Sequence, residues 1–388
     1  MALIEIVEHC DFMPGLEEGF HGDASDVSGS AGNENFHFSG WGKFGNHSAG
    51  VSDAQTIRAI LMAMKNSRHL RLGILGTGRI ANKFAGELPA SRTGRLVATA
   101  SRTTGAAAAF ARIHGGEPVT GYEALLDRDD LDAVYLSLPN ALHCQWTLAA
   151  LDAGKHVLCE KPMALDVAEA SRMFDRAAEK RLILMEAFMY RAHPQTQKLF
   201  DLVASGAIGE VRLIRANFTF SREASHADAR FQNGPGGGSL MDVGCYCVDF
   251  ARTLSAGEPH QLECLGHRHP LGVDDYAAGL LGFPGGSLAT FTCGMTVLSD
   301  QSAHIAGSEG RIEITRFWQA KEGFSLISPK GAVEKYRVRE KRPIYAVEAD
   351  AFAAVVAGGT HWNPPANTLG NLRTLEILRD KAGFPSRS

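Results

Sequence analysis

The sequence lacks the features that would place it in a membrane, outside the cell or on a nucleic acid. It has no stretch of about 18 uncharged apolar residues, so no segment is suited to crossing a bilayer as a helix. Lysine and arginine total 39 against 43 acidic residues, and they are scattered. No basic field exists for a phosphate backbone, which argues against a nucleic-acid partner. The seven cysteines are odd in number, and only Cys245 and Cys247 lie close together, as a lone C-x-C. That pattern gives neither a disulfide framework nor a zinc site, and no metal is expected. The first residues carry Glu5, Glu8 and Asp11 where a secretory signal would be basic. A cytoplasmic location with reduced thiols follows as the expectation. There is no internal repeat, which excludes a solenoid or propeller.

What is present is a chain of 388 residues, 45% hydrophobic, enough for two cores. Residues 1–64 stand apart, with Gly, Ser, Asn, His and Asp dominating His21 to Asp53, and read as a disordered extension. From Leu70 onwards short apolar strands alternate with helices. Strands are expected at Leu70–Leu75, Leu96–Ala100, Ala133–Leu138, His156–Cys159 and Leu182–Ala187, with helices between them, such as Val167–Lys180. This alternation predicts an α/β Rossmann domain over 65–188. After Ala187 the period changes. A helix to about Ser205 and a strand from Val211 to Phe220 open a second, α+β domain over 189–388. Its strands between Gln261 and Thr315, joined by turns such as Pro284-Gly285-Gly286, form one large, mostly antiparallel sheet, and helices near Ile344–Val356 and Leu369–Ala382 close the chain.

The first strand runs into Gly76-Thr77-Gly78-Arg79-Ile80-Ala81. Gly76 suits a tight turn, Gly78 lets the backbone approach a pyrophosphate, and the small Ala81 lets the next helix lie close on the strand. The helix start then offers unpaired N–H groups and a positive dipole end to an anion. The second strand ends in Ser101-Arg102-Thr103, a guanidinium flanked by hydroxyls, where an NAD site places a carboxylate. That composition suits a 2′-phosphate and predicts NADP(H) in preference to NAD(H).

Further along the carboxyl edge of the sheet come Leu138, Pro139, Asn140 and His143, and then Gly154-Lys155-His156-Val157-Leu158-Cys159-Glu160-Lys161-Pro162. Lys161, at a strand end where ligands bind in open α/β sheets, can polarise a substrate oxygen and depress the pKa of a neighbouring phenol. Beyond the domain boundary, Gly236-Gly237-Gly238 leads a loop to a helix on which Asp242 and Tyr246 stand four residues apart, on one face. A phenol can accept the proton of an alcohol as hydride leaves and return it in the reverse reaction. Asp242 either orients a substrate hydroxyl or holds Lys161.

The glycine turn, the Pro-Asn-x-x-His segment and above all the Gly-Lys-His-Val-Leu-x-Glu-Lys-Pro run resemble the glucose–fructose oxidoreductase/inositol dehydrogenase (Gfo/Idh/MocA) family, from about Leu70 to the C-terminus. Tyr246, where many members carry histidine, resembles the branch containing dimeric dihydrodiol dehydrogenase and NADP-dependent xylose dehydrogenases. The resemblance implies that Lys161 lies beside nicotinamide and substrate and that Glu160 shapes the cofactor pocket. It also implies that Met189 and Arg191 face the cleft, with Arg191 counted among the cofactor contacts. The open sheet face is implied to pair with another subunit, as a homodimer or homotetramer. The expected activity is hydride transfer between NADP(H) and a CH–OH or carbonyl group of a sugar, polyol or trans-dihydrodiol, with Lys161, Tyr246 and Asp242 as catalytic residues. A pocket lined by Phe231 and Phe188 would suit an aromatic diol, and a polar one a sugar. Two alternatives are a transhydrogenase that retains its cofactor and a non-catalytic NADP-binding sensor.

Overall fold

The computed structural model describes residues 69–320 and 322–384. The extension expected over 1–64 lies outside them. The first sheet contains β1 (Leu70–Leu75), β2 (Gly94–Ser101), β3 (Glu117–Thr120), β4 (Ala133–Leu136), β5 (His156–Glu160) and β6 (Leu184–Ala187). All pairings in it are parallel, in the order β3-β2-β1-β4-β5-β6. Every residue of β4 is buried because helices cover both faces, which is why this strand reads as an unbroken apolar run and not as an alternation. The covering helices are α1 (Arg79–Glu87), α2 (Thr104–His114), α3 (Tyr122–Leu126), α4 (His143–Asp152) and α5 (Val167–Lys180). The start of α5 is fixed by its own side chains: Asp166 accepts from Glu169 N–H at 2.8 Å, and the Glu169 carboxylate reaches back to Leu165 N–H at 3.1 Å. Strand order reverses between β1 and β4, the position at which such sheets open a crevice.

Two short helices, α6 (Met189–Ala192) and α7 (Pro194–Ala204), lead into the second sheet. It contains β7 (Val211–Thr219), β8 (Gln261–Arg268), β9 (Asp274–Gly282), β10 (Leu288–Gly294), β11 (Ala303–Gly307), β12 (Arg311–Ile314), β13 (Phe324–Ile327) and β14 (Val333–Tyr336). The order is β14-β13-β12-β11-β7-β10-β9-β8, antiparallel except for the central β7–β10 pair. Side chains alternate along β9, with Ala277 and Leu281 buried while Tyr276 and Leu280 are exposed. The inner face packs on α8 (Cys245–Leu254) and α10 (Pro365–Lys381). The outer face leaves Leu213, Leu265, Tyr276, Leu280 and Leu288 uncovered.

Helix α9 (Ile344–Val356) returns to the first sheet, where Tyr345, Ala349 and Phe352 share a core with Phe84, Tyr135 and Met185. The Asp350 carboxylate pins it there by accepting from the Thr93 hydroxyl at 2.6 Å and from Arg92 N–H at 2.9 Å. The sequence pattern missed β3, β13 and β14, which are four residues each, and placed the start of α10 at Leu369. No helix among the described residues is long and apolar enough to cross a membrane.

Candidate active site

The turn after β1 folds as its glycines require. Gly76 has φ +105°, and a Cβ on it would lie 3.1 Å from the Ser137 carbonyl oxygen. Gly78 caps α1 in an extended conformation with no side-chain hydrogen bond to the first turn. The Asn82 amide instead donates to Thr77 and Gly78 carbonyls, so the leading N–H groups of α1 stay available to an anion. At the end of β2, Thr103 caps α2 and leaves the Arg102 side chain exposed beside it, with no carboxylate in Ser101-Arg102-Thr103. An uncapped helix start, a positive-φ glycine and an exposed guanidinium fit the diphosphate and 2′-phosphate of NADP(H).

Between the sheets opens a cleft of about 1030 Å³. Gly78, Arg79 and Ile80 form one wall; Leu138, Pro139 and Asn140 continue it, and Glu160 and Lys161 lie at its base. From the other side come Met189, Phe218, Asp242 and Tyr246, with a loop that includes Arg222 and Arg230, and Tyr345 of α9 also lines the cleft. Lys161 Nζ donates to the Asp242 carboxylate at 3.0 Å and to the Asp242 carbonyl at 2.6 Å. Of the two roles open to Asp242, holding Lys161 is therefore the one seen. Lys161 Nζ also lies 5.1 Å from the centre of the Tyr246 ring.

Asp242 and Tyr246 do not share one regular α-helix. Leu240–Gly244 forms a π-turn that runs into α8, so Asp242 projects from the widened turn and Tyr246 from the first α turn. Asp274 on β9 holds that turn, accepting from Ser239 Oγ at 2.8 Å and Leu240 N–H at 2.7 Å. Gly238, at φ +99°, must be glycine because a Cβ there would lie 1.9 Å from the Asp274 carboxylate.

Burial opposes charge on both members of the Lys161–Asp242 pair, yet their mutual attraction wins. The ammonium is held above its ordinary pKa, and the carboxylate, with Arg230 as a second cation, below its own. Burial raises Glu160, whose carboxylate accepts from the Tyr135 hydroxyl. The expectation that Lys161 depresses the Tyr246 phenol is overturned for the protein alone. Burial pushes that phenol well above its usual range, and the nearby Tyr345, Glu160, Cys245 and Glu348 push the same way. The Tyr246 hydroxyl meets Met189 Sδ at 3.0 Å, a weak acceptor that a substrate oxygen can displace.

Two expected cofactor contacts are buried away from the cleft. His143 is fully buried, with its imidazole between the Leu138 and Pro162 carbonyls at 2.8 and 2.9 Å, and burial lowers its pKa to about 4. It braces the loops carrying Pro139 and Lys161. Arg191 faces away, sealed in an ion pair with the buried Asp249 at 3.0 Å and bonded to Thr253 Oγ1 at 2.7 Å. Gly76, Thr77, Ser101 and Arg102 lie at the ends of β1 and β2, outside the cleft lining. The sequence reading missed Arg230, which bonds Asp242, and Glu186, which holds Met163 N–H at 2.9 Å just after Lys161-Pro162. Burial raises Glu186 to about 7.

Residues 70–188 match the sequence model of an oxidoreductase family with an NAD-binding Rossmann fold, GFO_IDH_MocA, and residues 196–313 match the GFO/IDH/MocA C-terminal domain. The chain is 37% identical over 304 residues to the dTDP-3,4-didehydro-2,6-dideoxy-alpha-D-glucose 3-reductase of Actinomadura kijaniata, with 76% of this chain and 90% of that one covered. It is 35% identical over 325 residues to D-xylose 1-dehydrogenase (NADP(+)) 2 of Haloferax volcanii, with 81% and 97% covered. Among solved structures it is similar to KijD10, a 3-ketoreductase from Actinomadura kijaniata in complex with NADP and TDP-benzene. There the TM-score is 0.73 at 34% identity, over 81% of this chain and 98% of that one.

Proposed function

The chain belongs to the Gfo/Idh/MocA family of oxidoreductases, and from that premise we propose that Tyr246 is the acid/base and Lys161 the electrophilic assistant of an NADP(H)-dependent hydride transfer at a CH–OH or carbonyl carbon. The observation that carries the reading is Tyr246 in the lining of the cleft, its ring beside the Lys161–Asp242 pair, in a cleft that Gly78 of the glycine turn also lines. Residues 65–188 would serve the cofactor and 189–388 the substrate and subunit contacts. NADPH supplies the hydride for reduction, and NADP⁺ accepts it in oxidation.

The protein's own part is to hold and move the proton. The Tyr246 phenol is kept protonated by its buried surroundings and gives its proton to the carbonyl oxygen of a substrate as that carbon receives hydride. An ammonium has three donors. Asp242 occupies two of those on Lys161, which leaves one for the same substrate oxygen, where charge develops. Asp242 sets the direction of that third N–H.

The cleft favours a hydroxylated substrate. Phe188 and Phe231 are fully buried and do not line it, whereas Gln232, Asn233, Gln301 and Gln319 do, with Phe218 and Phe220 as an apolar strip for the face of a ring. A sugar or polyol, or the matching carbonyl compound, is therefore preferred over an aromatic trans-dihydrodiol. A nicotinamide absorbance assay across aldoses, keto-sugars, polyols and aromatic diols, with both nucleotides, tests this reading. Turnover is expected to favour NADP(H) and sugar-type compounds. Because the phenol must ionise before it can accept a proton and burial disfavours that ionisation, oxidation is expected to climb with pH into the alkaline range, while reduction proceeds near neutrality. Nucleotide binding without turnover of any compound would instead support a sensor.

We also infer a homo-oligomer built on the outer face of the second sheet, where exposed leucines and Tyr276 form an apolar field that a second copy would cover. Size-exclusion chromatography with light scattering is expected to give a multiple of the 41.7 kDa chain mass, and a monomer would refute the inference. The six described cysteines are free and buried, which supports a cytoplasmic setting.

A further inference from the structure

The loop between β7 and the π-turn, for which the sequence shows no periodicity, carries a guanidinium into the centre of the active site. Arg230 sits in a single helical turn, Ala229–Phe231, pinned on both sides. Phe231 is fully buried against Val273 and Met295, and the Arg230 carbonyl accepts from Gly238 N–H at 2.9 Å. The side chain spans two carboxylates. Its Nε donates to Asp242 Oδ2 at 2.9 Å, and its Nη1 lies 3.0 and 3.1 Å from the two oxygens of Asp228. Asp228 in turn receives Arg222 at 3.2 Å. The other oxygen of Asp242 belongs to Lys161. The result is a file of alternating charge, Lys161–Asp242–Arg230–Asp228–Arg222, whose anions are each shared between two cations.

Sharing matters for chemistry. A carboxylate paired with Lys161 alone would cancel the ammonium and leave the Tyr246 ring facing a neutral pair. With Arg230 on Oδ2 and Arg222 closing the file on Asp228, three cations and two carboxylates sum to one positive charge. We propose that Arg230 is a positioning residue for the reaction: by holding Oδ2 it fixes the Asp242 carboxylate on Lys161 and preserves a net positive charge beside Tyr246. This rests on the reading that Tyr246 and Lys161 carry the proton chemistry.

The groups that face these residues all enter the balance. Lys161 lies over the Tyr246 ring, while Glu160, Cys245, Tyr345 and Glu348 disfavour phenolate. Arg230 faces Asp228 and Asp242, with Arg79 close enough across the cleft to feel its charge. Removing the guanidinium takes one positive charge out of the file, leaving Asp242 to Lys161 alone and Asp228 to Arg222 alone. The phenolate should then form only at higher pH.

The test uses the full chain with Arg230→Gln, Arg230→Lys and Tyr246→Phe in parallel. It reads kcat, the KM for NADPH, the pH profile of alcohol oxidation, and the melting temperature. Arg230→Gln is expected to lower kcat by about 10-fold or more, to leave the KM for NADPH within about two-fold, and to move the alkaline rise of oxidation up by about one pH unit. Added guanidinium should restore part of the rate. Arg230→Lys should fall between, because an ammonium keeps the charge and loses the fork that spans two carboxylates. A wild-type kcat and pH profile in Arg230→Gln overturns the proposal, and so does a rate loss that follows a lowered melting temperature and ignores guanidinium. If Tyr246→Phe is inactive while Arg230→Gln is normal, only the role of Arg230 falls. Normal turnover in Tyr246→Phe removes the acid/base reading itself.

Discussion

Tyr246→Phe is expected to lower kcat by at least about 10²-fold while NADPH still binds, because the change deletes only the hydroxyl proposed to carry the proton. The ring's surroundings survive the substitution. It packs edge-on to Phe188 and Phe218, each at 5.1 Å, and to Trp318 at 5.6 Å, and none of these contacts involves the oxygen. The hydroxyl's own partner, Met189 Sδ, is a weak acceptor whose loss costs little in stability. Lys161→Ala should lower kcat by a similar factor through a different atom. It removes the donor proposed for the substrate oxygen and leaves the Asp242 carboxylate held by Arg230. Steady-state kinetics with a fluorescence titration of bound NADPH separates the two quantities. Near-normal turnover in either variant would remove that residue from the mechanism, and a parallel collapse of NADPH binding would assign it to the cofactor instead.

Arg102→Ala is expected to raise the KM for NADPH by about 10-fold or more and to leave that for NADH nearly unchanged, since a charge-assisted pair with a 2′-phosphate is available only to the phosphorylated nucleotide. The geometry favours a clean result. Arg102 stands exposed at the end of β2, while the neighbouring Thr103 does the capping of α2, so the fold has little need of the guanidinium. Paired kinetics with the two nucleotides, in low and in high salt, gives the answer. Equal small effects on both would exclude a phosphate contact at this position.

The Rossmann half was legible because its signals are local. Val167–Lys180 was placed to the residue: Asp166 caps the first turn and Glu169 reaches back to Leu165 N–H at one end, and Arg181 leaves the helix at φ +57° at the other. What was missed is short or depends on distant partners. Val333–Tyr336 is an edge strand of four mostly exposed residues, too brief to show a period. The π-turn at Leu240–Gly244 is held by Asp274, a residue on another strand, and nothing in its own sequence announces it.

Among the candidate site residues, the glycine turn, Lys161 and Tyr246 were visible through their motifs, and Asp242 through its spacing. Arg230 was hidden in a loop whose composition says nothing of its shape. His143 and Arg191 illustrate the reverse error. Each is a polar residue near the right strand end, but carbonyls enclose the first and Asp249 claims the second. The direction of the Tyr246 shift was misjudged for a related reason: burial outweighs a cation lying over the ring, and burial cannot be read from spacing.

The placement of β7 bears on how the chain becomes this structure. It lies inside the second sheet between β10 and β11, with Leu213 opposite Leu288 and Ala216 opposite Ala303. A strand emerging from the ribosome at Val211 must therefore wait for partners that begin at Leu288 and Ala303, and the loop so closed is long. Until then its apolar residues Leu213 and Ile214 have no neighbours to pair with, the circumstance in which a nascent chain is most exposed to aggregation. The first sheet needs no such delay, since each of its strands finds a partner in chain already synthesised or following shortly after. Folding should accordingly proceed in two stages, with the first sheet formed early and the second closing only when nearly the whole chain is available.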